Sequence, residues 1–261
     1  MNINIFGLKN KKILVVGGSG LIGLELSNFL NNLGAKVFNL DIKNNKKMNN
    51  NIKFIKFDVT KKNLIKNKLD NFFKKNGIPD CYVNCSYPIT QGLNKYNFKH
   101  ISLNTIQSSL DVHLKTYIWL AKTIAEKMVK SKIKGSLVQF GSHYGVIGQN
   151  SDIYSGTKMS ENMVYSAIKG GIISNTRQMA AHYGKYGIRV NCISPGGIEG
   201  HVKGKKFAQP KSFLKRYSLR TPLKRLAKKH EIAPSVAFLL SDASTYITGI
   251  NLIIDGGWTS S

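Results

Sequence analysis

Two segments of this 261-residue chain place a phenol and an ammonium four positions apart: Tyr154-Ser155-Gly156-Thr157-Lys158 and Tyr165-Ser166-Ala167-Ile168-Lys169. On a helix that spacing puts both groups on one face. A phenol is a poor base near neutrality, and an adjacent cation that stabilises its phenolate makes it a usable proton donor and acceptor. Only one copy can hold such a position, and the pair alone does not choose between them.

A second chemical signal stands near the start of the chain. The run 17-GGSGLIG-23 contains Gly18-x-Gly20-x-x-Gly23 between an apolar strand-like segment and a helical one. Glycines there let the backbone turn tightly and approach a pyrophosphate, while free N–H groups and the dipole at the helix N-terminus attract the anion. Gly17, Gly18, Ser19, Gly20, Leu21, Ile22 and Gly23 are therefore the candidate dinucleotide-binding turn. Asp41 closes the next strand-like run, 36-KVFNLD-41, where a carboxylate can accept hydrogen bonds from a ribose and repel a 2′-phosphate. That favours NAD; Lys43, Lys46 and Lys47 nearby leave NADP open.

The elements that must carry these residues follow from hydrophobic period. Short runs at 12-KILVVGG-18, 36–41, 52–59, 81-CYVNCS-86, 136-SLVQFGS-142, 188-IRVNCIS-194 and 251-NLIID-255 read as strands. Helical patterns occupy 21–34, 60–77, 102–131, 160–186 and 231–241, and 42–51 reads as a polar loop. Near-continuous apolar strands alternating with helices predict an α/β fold: a single doubly wound, Rossmann-type domain spanning 1–261, its seven-stranded parallel sheet flanked by helices on both faces.

Composition narrows the function classes. No apolar run is long enough to span a membrane, and Met1 to Lys12 shows no export signal, so the reading is cytoplasmic with no membrane partner. Net charge is +26, which raises nucleic acid as a partner. Only five of the 39 cations are Arg, however, and base readout favours the Arg fork. Abundant Lys, Asn and Ile share A/T-rich codons, so solvated faces written in lysine by a biased genome are the plainer explanation, and no nucleic-acid partner is expected. Cys81, Cys85 and Cys192 lie in apolar runs at no metal spacing and read as small core residues; no metal is expected.

From Tyr165 the chain reads 165-YSAIKGGIISNTRQMAAHYGKYGIRVNCISPGG-197, and here it closely resembles the short-chain dehydrogenase/reductase family. The resemblance extends over nearly the whole chain, through the glycine-rich turn, Asp58-Val59, Asn84, Ser142 and 248-TGINLIIDGGW-258. It implies an NAD(P)-dependent oxidoreductase in which Tyr165 exchanges a proton with an alcohol or carbonyl oxygen, Ser142 hydrogen-bonds that oxygen, and Lys169 lowers the Tyr165 pKa while holding the nicotinamide ribose. Asp58 and Val59 would flank the adenine, Asn84 the adenosine side of the cleft, and Pro195, Gly196 and Ile198 the carboxamide. Tyr154 has no such sequel and is assigned to a loop or substrate-pocket wall. An even homo-oligomer, dimer or tetramer, is implied as well.

The chain departs from the family pattern at three places. Where many members carry an Asn that relays protons, it has His113, which either relays protons, titrating near neutrality, or simply fills the helix. Val16 stands in place of the usual Thr, and Leu21 replaces the middle Gly, which resembles the turn of the extended epimerase/dehydratase branch. The spacer between Ser142 and Tyr165 is long, with the surplus in 147-IGQNSDIYSGTKMSEN-162. A polar insertion beside the active-site Ser suits a hydroxyl-rich ligand. The layout is similar to oxidoreductases of flagellin-modification and surface-polysaccharide sugar pathways, including those supplying nonulosonic acids. A lid over about 198–220, with 203-KGKK-206, Lys211, Lys215, Arg216 and Arg220, either attracts a nucleotide diphosphate or reflects the lysine bias. The competing enzyme reading is a 3-oxoacyl-carrier-protein reductase; the competing non-enzyme reading is a noncatalytic NAD- or nucleic-acid-binding protein.

Overall fold

β1 (Lys12–Val16) has the sequence KILVV, and its last four residues are buried. Alternate residues of this strand enter two different apolar clusters: Ile13 and Val15 one, Leu14 and Val16 the other. A strand buried on both faces belongs inside a parallel sheet. The computed structural model, which describes residues 6–88, 96–200 and 209–260, has that arrangement. Seven strands form one sheet in the order β3-β2-β1-β4-β5-β6-β7, every pairing parallel. The other strands are β2 (Lys36–Asp41), β3 (Lys53–Lys56), β4 (Cys81–Asn84), β5 (Ser136–Phe140), β6 (Arg189–Pro195) and β7 (Asn251–Ile254).

One face of the sheet is covered by α1 (Leu21–Asn32) and α7 (Ala233–Leu240), with Leu24, Leu26, Leu30, Val236 and Leu240 in the cluster. The other is covered by α2 (Lys62–Asn76), α4 (Lys115–Lys130) and α5 (Met163–Tyr183), which contribute Leu69, Phe72, Leu120, Ile124, Met128 and Met179. The expected helix over 102–131 is three pieces end to end: α3 (Leu103–Ser109), a π-helical turn (Leu110–Leu114) and α4. The apolar spacing carries through, but the extra residue of a π turn shifts the face its side chains present. Outside the expected elements lies α6 (Lys211–Arg220), KSFLKRYSLR. Its polar composition hid it; only Phe213 and Tyr217 are buried. β3 is shorter than the predicted 52–59, ending before Asp58 turns the chain toward α2.

Register sets where function can sit. Val16 pairs with Leu40 on one side and Asn84 on the other, and Asn84 with Gln139, so the C-terminal ends of β1, β2, β4 and β5 lie level. The strand order reverses between β1 and β4, which opens a crevice at those ends. No helix among the described residues is long and apolar enough to cross a membrane.

Leu120 is fully buried on the α4 face of the sheet. Leu120→Ala is expected to cost about 2–5 kcal/mol, read as a lower urea midpoint with an unchanged slope.

Candidate active site

The turn after β1 is shaped by contacts only glycine permits. Gly17 has φ +82°, and a Cβ there would lie 2.7 Å from the Ser86 backbone beyond β4. A Cβ on Gly23 would come within 2.1 Å of the Gly17 carbonyl, so the first turn of α1 is pressed against the loop that precedes it. Gly20 is the N-cap of α1 and has no side-chain cap, and no acidic side chain stands in the first turn, so the N–H groups there remain available to an anion. Ser19 ties this turn to β2: its N–H donates to Asp41 Oδ2 at 3.0 Å and its hydroxyl accepts from Asn39 Nδ2 at 2.8 Å. The other Asp41 oxygen accepts from the Ile42 N–H at 2.7 Å. Asp41 is thus buried at the rim of the turn. Leu21 meets the chain beyond β6, since a Cβ on Gly200 would lie 2.8 Å from its Cδ1, and Ile22 packs on the α1 core.

The remaining cofactor candidates line the same edge. Asn84 is fully buried; its Oδ1 accepts from the Ser86 N–H and hydroxyl, and its side chain also bonds the buried Tyr82 hydroxyl. Asp58 accepts from the N–H and hydroxyl of Thr60, and Val59 is buried in the α2 core. Pro195 ends β6, Gly196 donates its N–H to Ile254, and Ile198 pairs with Ala227 while its carbonyl accepts from Gln209. A glycine cradle that a Cβ would fill and an uncapped helix end together fit a dinucleotide.

Across the crevice, the Asn162 side chain caps α5 by accepting from the N–H groups of Val164 and Tyr165. Tyr165 and Lys169 then stand one turn apart. The Tyr165 phenol is hydrogen-bonded to Ser142; burial pushes its pKa up and the Ser142 hydrogen bond pulls it back. Ser142 caps its own short turn by accepting from the Tyr144 N–H at 3.2 Å. Lys169 is buried, donates to the Phe140 carbonyl at 2.7 Å, and sits 5.4–5.7 Å from the ring centroids of Tyr117, Tyr87 and Tyr165. Burial brings its pKa down to about 8. In this arrangement the hydrogen bond that lowers the Tyr165 pKa comes from Ser142, while the Lys169 ammonium donates to the Phe140 carbonyl.

His113 lies in the π-helical turn, stacked on Tyr87 at 4.4 Å, and Tyr87 meets Tyr165 edge-on at 5.6 Å. The expectation that His113 titrates near neutrality is not met: burial, and secondarily the Lys169 charge, bring it down to about 4, and Nδ1 has no partner. Tyr87 escaped sequence reasoning, although it stands only three residues beyond Asn84. His143, Tyr144, Tyr217 and Trp258 were missed too; only the fold gathers them, with Ile153, Tyr154 and Phe213, beside Ser142. Tyr154 ends a short 3-10 turn (Ser151–Tyr154), and Lys158 lies exposed beyond it, so the first Tyr-x-x-x-Lys motif is a loop. Of the basic lid, 203-KGKK-206 falls outside the described residues; Arg216 donates to the Ser155 carbonyl and Arg220 pairs with Asp152, so both hold the insertion.

Residues 19–259 match the family model described as enoyl-(acyl carrier protein) reductase. The chain belongs to the short-chain dehydrogenase/reductase family. It is accordingly an NAD(P)-dependent oxidoreductase acting on CH–OH groups. Among relatives in this family, post-translational flagellin modification protein A of Campylobacter coli is 31% identical, with 96% of this chain and 99% of that protein aligned. The 3-oxoacyl-[acyl-carrier-protein] reductase FabG of Buchnera aphidicola is also 31% identical, over 95% and 97%. A short-chain dehydrogenase from Leptospira borgpetersenii with bound NAD+ superposes with a TM-score of 0.88 at 32% identity, covering 99% of this chain and 96% of that one.

His113 and His143 are both buried and both brought from 6.5 to about 4, in each case chiefly by desolvation. Below pH 6.5 the unfolded chain binds protons that the folded one refuses, so stability is full above that pH and is lost as pH falls toward 4. Each histidine contributes a slope of about 1.4 kcal/mol per pH unit in that window. Urea midpoints measured from pH 7 to 4 should fall less steeply for His113→Gln and His143→Gln than for the native chain; equal slopes would contradict these burial effects.

Proposed function

We propose that this enzyme transfers a hydride between NAD and an alcohol or ketone carbon of a sugar or nucleotide sugar, in surface-polysaccharide or flagellin-glycan synthesis. The observation that carries the reading is the 147–162 insertion. It is anchored beside Ser142 by the Tyr154–Phe213 stack at 5.8 Å and by the two arginines of α6, and it carries polar groups such as Asn150, Asp152 and Thr157. Loops on the substrate side of such clefts set specificity. The full-length likeness to a flagellin modification protein supports the same reading.

In this assignment the Gly17–Gly23 turn and the N-terminus of α1 hold the pyrophosphate, Asp41 the adenosine ribose, Asp58 and Val59 the adenine, and Asn84 the adenosine side. Lys169 binds the nicotinamide ribose, and Pro195, Gly196 and Ile198 face the carboxamide. Bound nicotinamide supplies or accepts the hydride. The protein's own part is the proton and the charge on oxygen. Tyr165 donates its proton to the substrate oxygen in reduction and takes it back in oxidation, while the Ser142 hydroxyl, already hydrogen-bonded to that phenol, positions the same oxygen. His113, held neutral, accepts or donates a hydrogen bond on the Lys169 side without carrying charge. Exposed Leu103 and Trp119 along α3 and α4, and Tyr246 before β7, support a homo-oligomer of even order.

Tyr165→Phe should reduce turnover by at least about 100-fold with NADH affinity, followed by fluorescence, unchanged; retained activity would overturn its assignment. Asp41→Ala should narrow the ratio of NAD to NADP affinities. A turnover screen of the native enzyme with nucleotide sugars, free sugars and short 3-oxoacyl thioesters tests the substrate class. Thioester turnover with NADPH in place of sugar turnover would move the enzyme to fatty-acid synthesis.

A further inference from the structure

Tyr165 stands in the first turn of α5, where backbone N–H groups have no partner one helical turn back and the helix itself constrains position least. Lys169 lies a turn deeper. What places Tyr165 is the cap residue Asn162, whose Oδ1 accepts from the N–H groups of Val164 and Tyr165, each at 3.1 Å, and whose carbonyl accepts from the Tyr165 N–H at 3.2 Å. Asn162 is the last residue of the 147–162 insertion, so the shape of the insertion decides where the catalytic helix begins.

Gln149, near the start of the insertion, holds that cap residue. Its Nε2 donates to the Asn162 carbonyl at 3.0 Å and its Oε1 accepts from the Asn162 N–H at 3.1 Å, so one side-chain amide pairs with both backbone groups of one residue. The same Oε1 accepts from the Tyr154 hydroxyl at 3.2 Å, and the Tyr154 oxygen is in turn hydrogen-bonded to the Tyr144 hydroxyl. Tyr144 donates its N–H to Ser142 Oγ at 3.2 Å, and Ser142 bonds the Tyr165 phenol. These bonds close a ring through Ser142, Tyr144, Tyr154, Gln149, Asn162 and Tyr165. Its two arms, one from the turn of Ser142 and one from the cap of α5, meet at Gln149.

We propose that Gln149 is a positioning residue for Tyr165: through Asn162 on one side and through Tyr154 and Tyr144 on the other, it closes the ring that keeps the phenol against Ser142. It acts through those residues and not on the reacting atoms. A proton donor must lie within hydrogen-bond reach of the oxygen it serves, and a misplacement of about 1 Å can cost about 100-fold in rate. The insertion is thereby more than a wall of the substrate cleft, because its two ends are clasped to each other and to the pair that handles the proton. The inference rests on the reading of Ser142 and Tyr165 as that pair and holds for either substrate class.

The test labels the tyrosine Cζ atoms with carbon-13 and follows the Tyr165 signal by NMR in the NAD-bound enzyme, the signal being identified by its loss in Tyr165→Phe. Ser142→Ala gives its position without the hydrogen-bond partner. We expect Gln149→Met, which keeps the length of the side chain and removes its three hydrogen bonds, to move the signal toward the Ser142→Ala position with NADH affinity unchanged. Turnover is read on whichever of a nucleoside-diphosphate hexose, a free hexose and a short 3-oxoacyl thioester the native enzyme uses fastest. There kcat should fall about 10–100-fold with KM little changed, and adding Tyr154→Phe should cost little more because the ring is already open. Should Gln149→Met fail to bind NADH, Tyr154→Phe alone opens the same ring and is read by the same two measures. A Tyr165 signal that stays in place, a native kcat, or losses that add in the double variant overturn the role of Gln149 and leave the catalytic pair standing. If Ser142→Ala leaves the signal where it is, or Tyr165→Phe retains turnover, the reading of the pair falls and this assignment with it.

Discussion

A single buried charge organises the centre of this protein. The Lys169 ammonium is taken out of water under the sheet's C-terminal edge, and such a group persists only if its surroundings replace the lost hydration. The Phe140 carbonyl at the end of β5 supplies one hydrogen bond, and the rings of Tyr87, Tyr117 and Tyr165 supply quadrupoles on several sides. Each of those rings is then fixed by something else. Tyr117 donates to the Ser86 carbonyl, Tyr87 stacks on His113, and Tyr165 bonds Ser142. The need to house one cation thereby links α4, α5, the π-helical turn and the ends of β4 and β5.

That linkage explains the electrostatics better than any pairwise view. Burial brings down the pKa of Lys169 and raises that of Tyr165, because in each case the charged form is the one that loses water. His113 feels both desolvation and the Lys169 charge and is left neutral. The result is a catalytic pair in which burial disfavours the charged form of each partner. Charge developing on a substrate oxygen there meets hydroxyl donors in place of water.

The substrate side is built on a different principle. Its wall is an insertion without regular structure of any length, and polar loops of that kind rarely hold a shape unaided. Here Tyr154 stacks on Phe213, Ile153 is buried among aromatic side chains, and the two arginines of α6 reach the insertion's backbone and Asp152. The insertion and α6 stabilise each other, so the wall and the segment read as a lid form one unit. Arg216 and Arg220 of the basic segment both contact the insertion.

The parallel sheet and the glycine turn were legible in the sequence because they rest on local rules, whereas the strand order came from the structure. Two-faced burial writes itself as unbroken apolar strands, and a turn that tolerates no Cβ at Gly17 or Gly23 requires glycine wherever it is folded. The spacing of Tyr165 and Lys169 was legible as a helix face, but Tyr154 and Lys158 share it, and the choice between the two pairs came from the family resemblance of the segment that follows Tyr165. What the sequence alone left unread depends on segments far apart in the chain. Tyr87, Tyr144, Tyr217 and Trp258 share no local pattern; they meet because β4, β5, α6 and the C-terminal turn end at one edge of the sheet. The protonation of His113, the partner of Lys169 and the occupation of Arg216 were likewise decided by tertiary structure, because burial and neighbouring charge are properties of a packed environment and not of spacing.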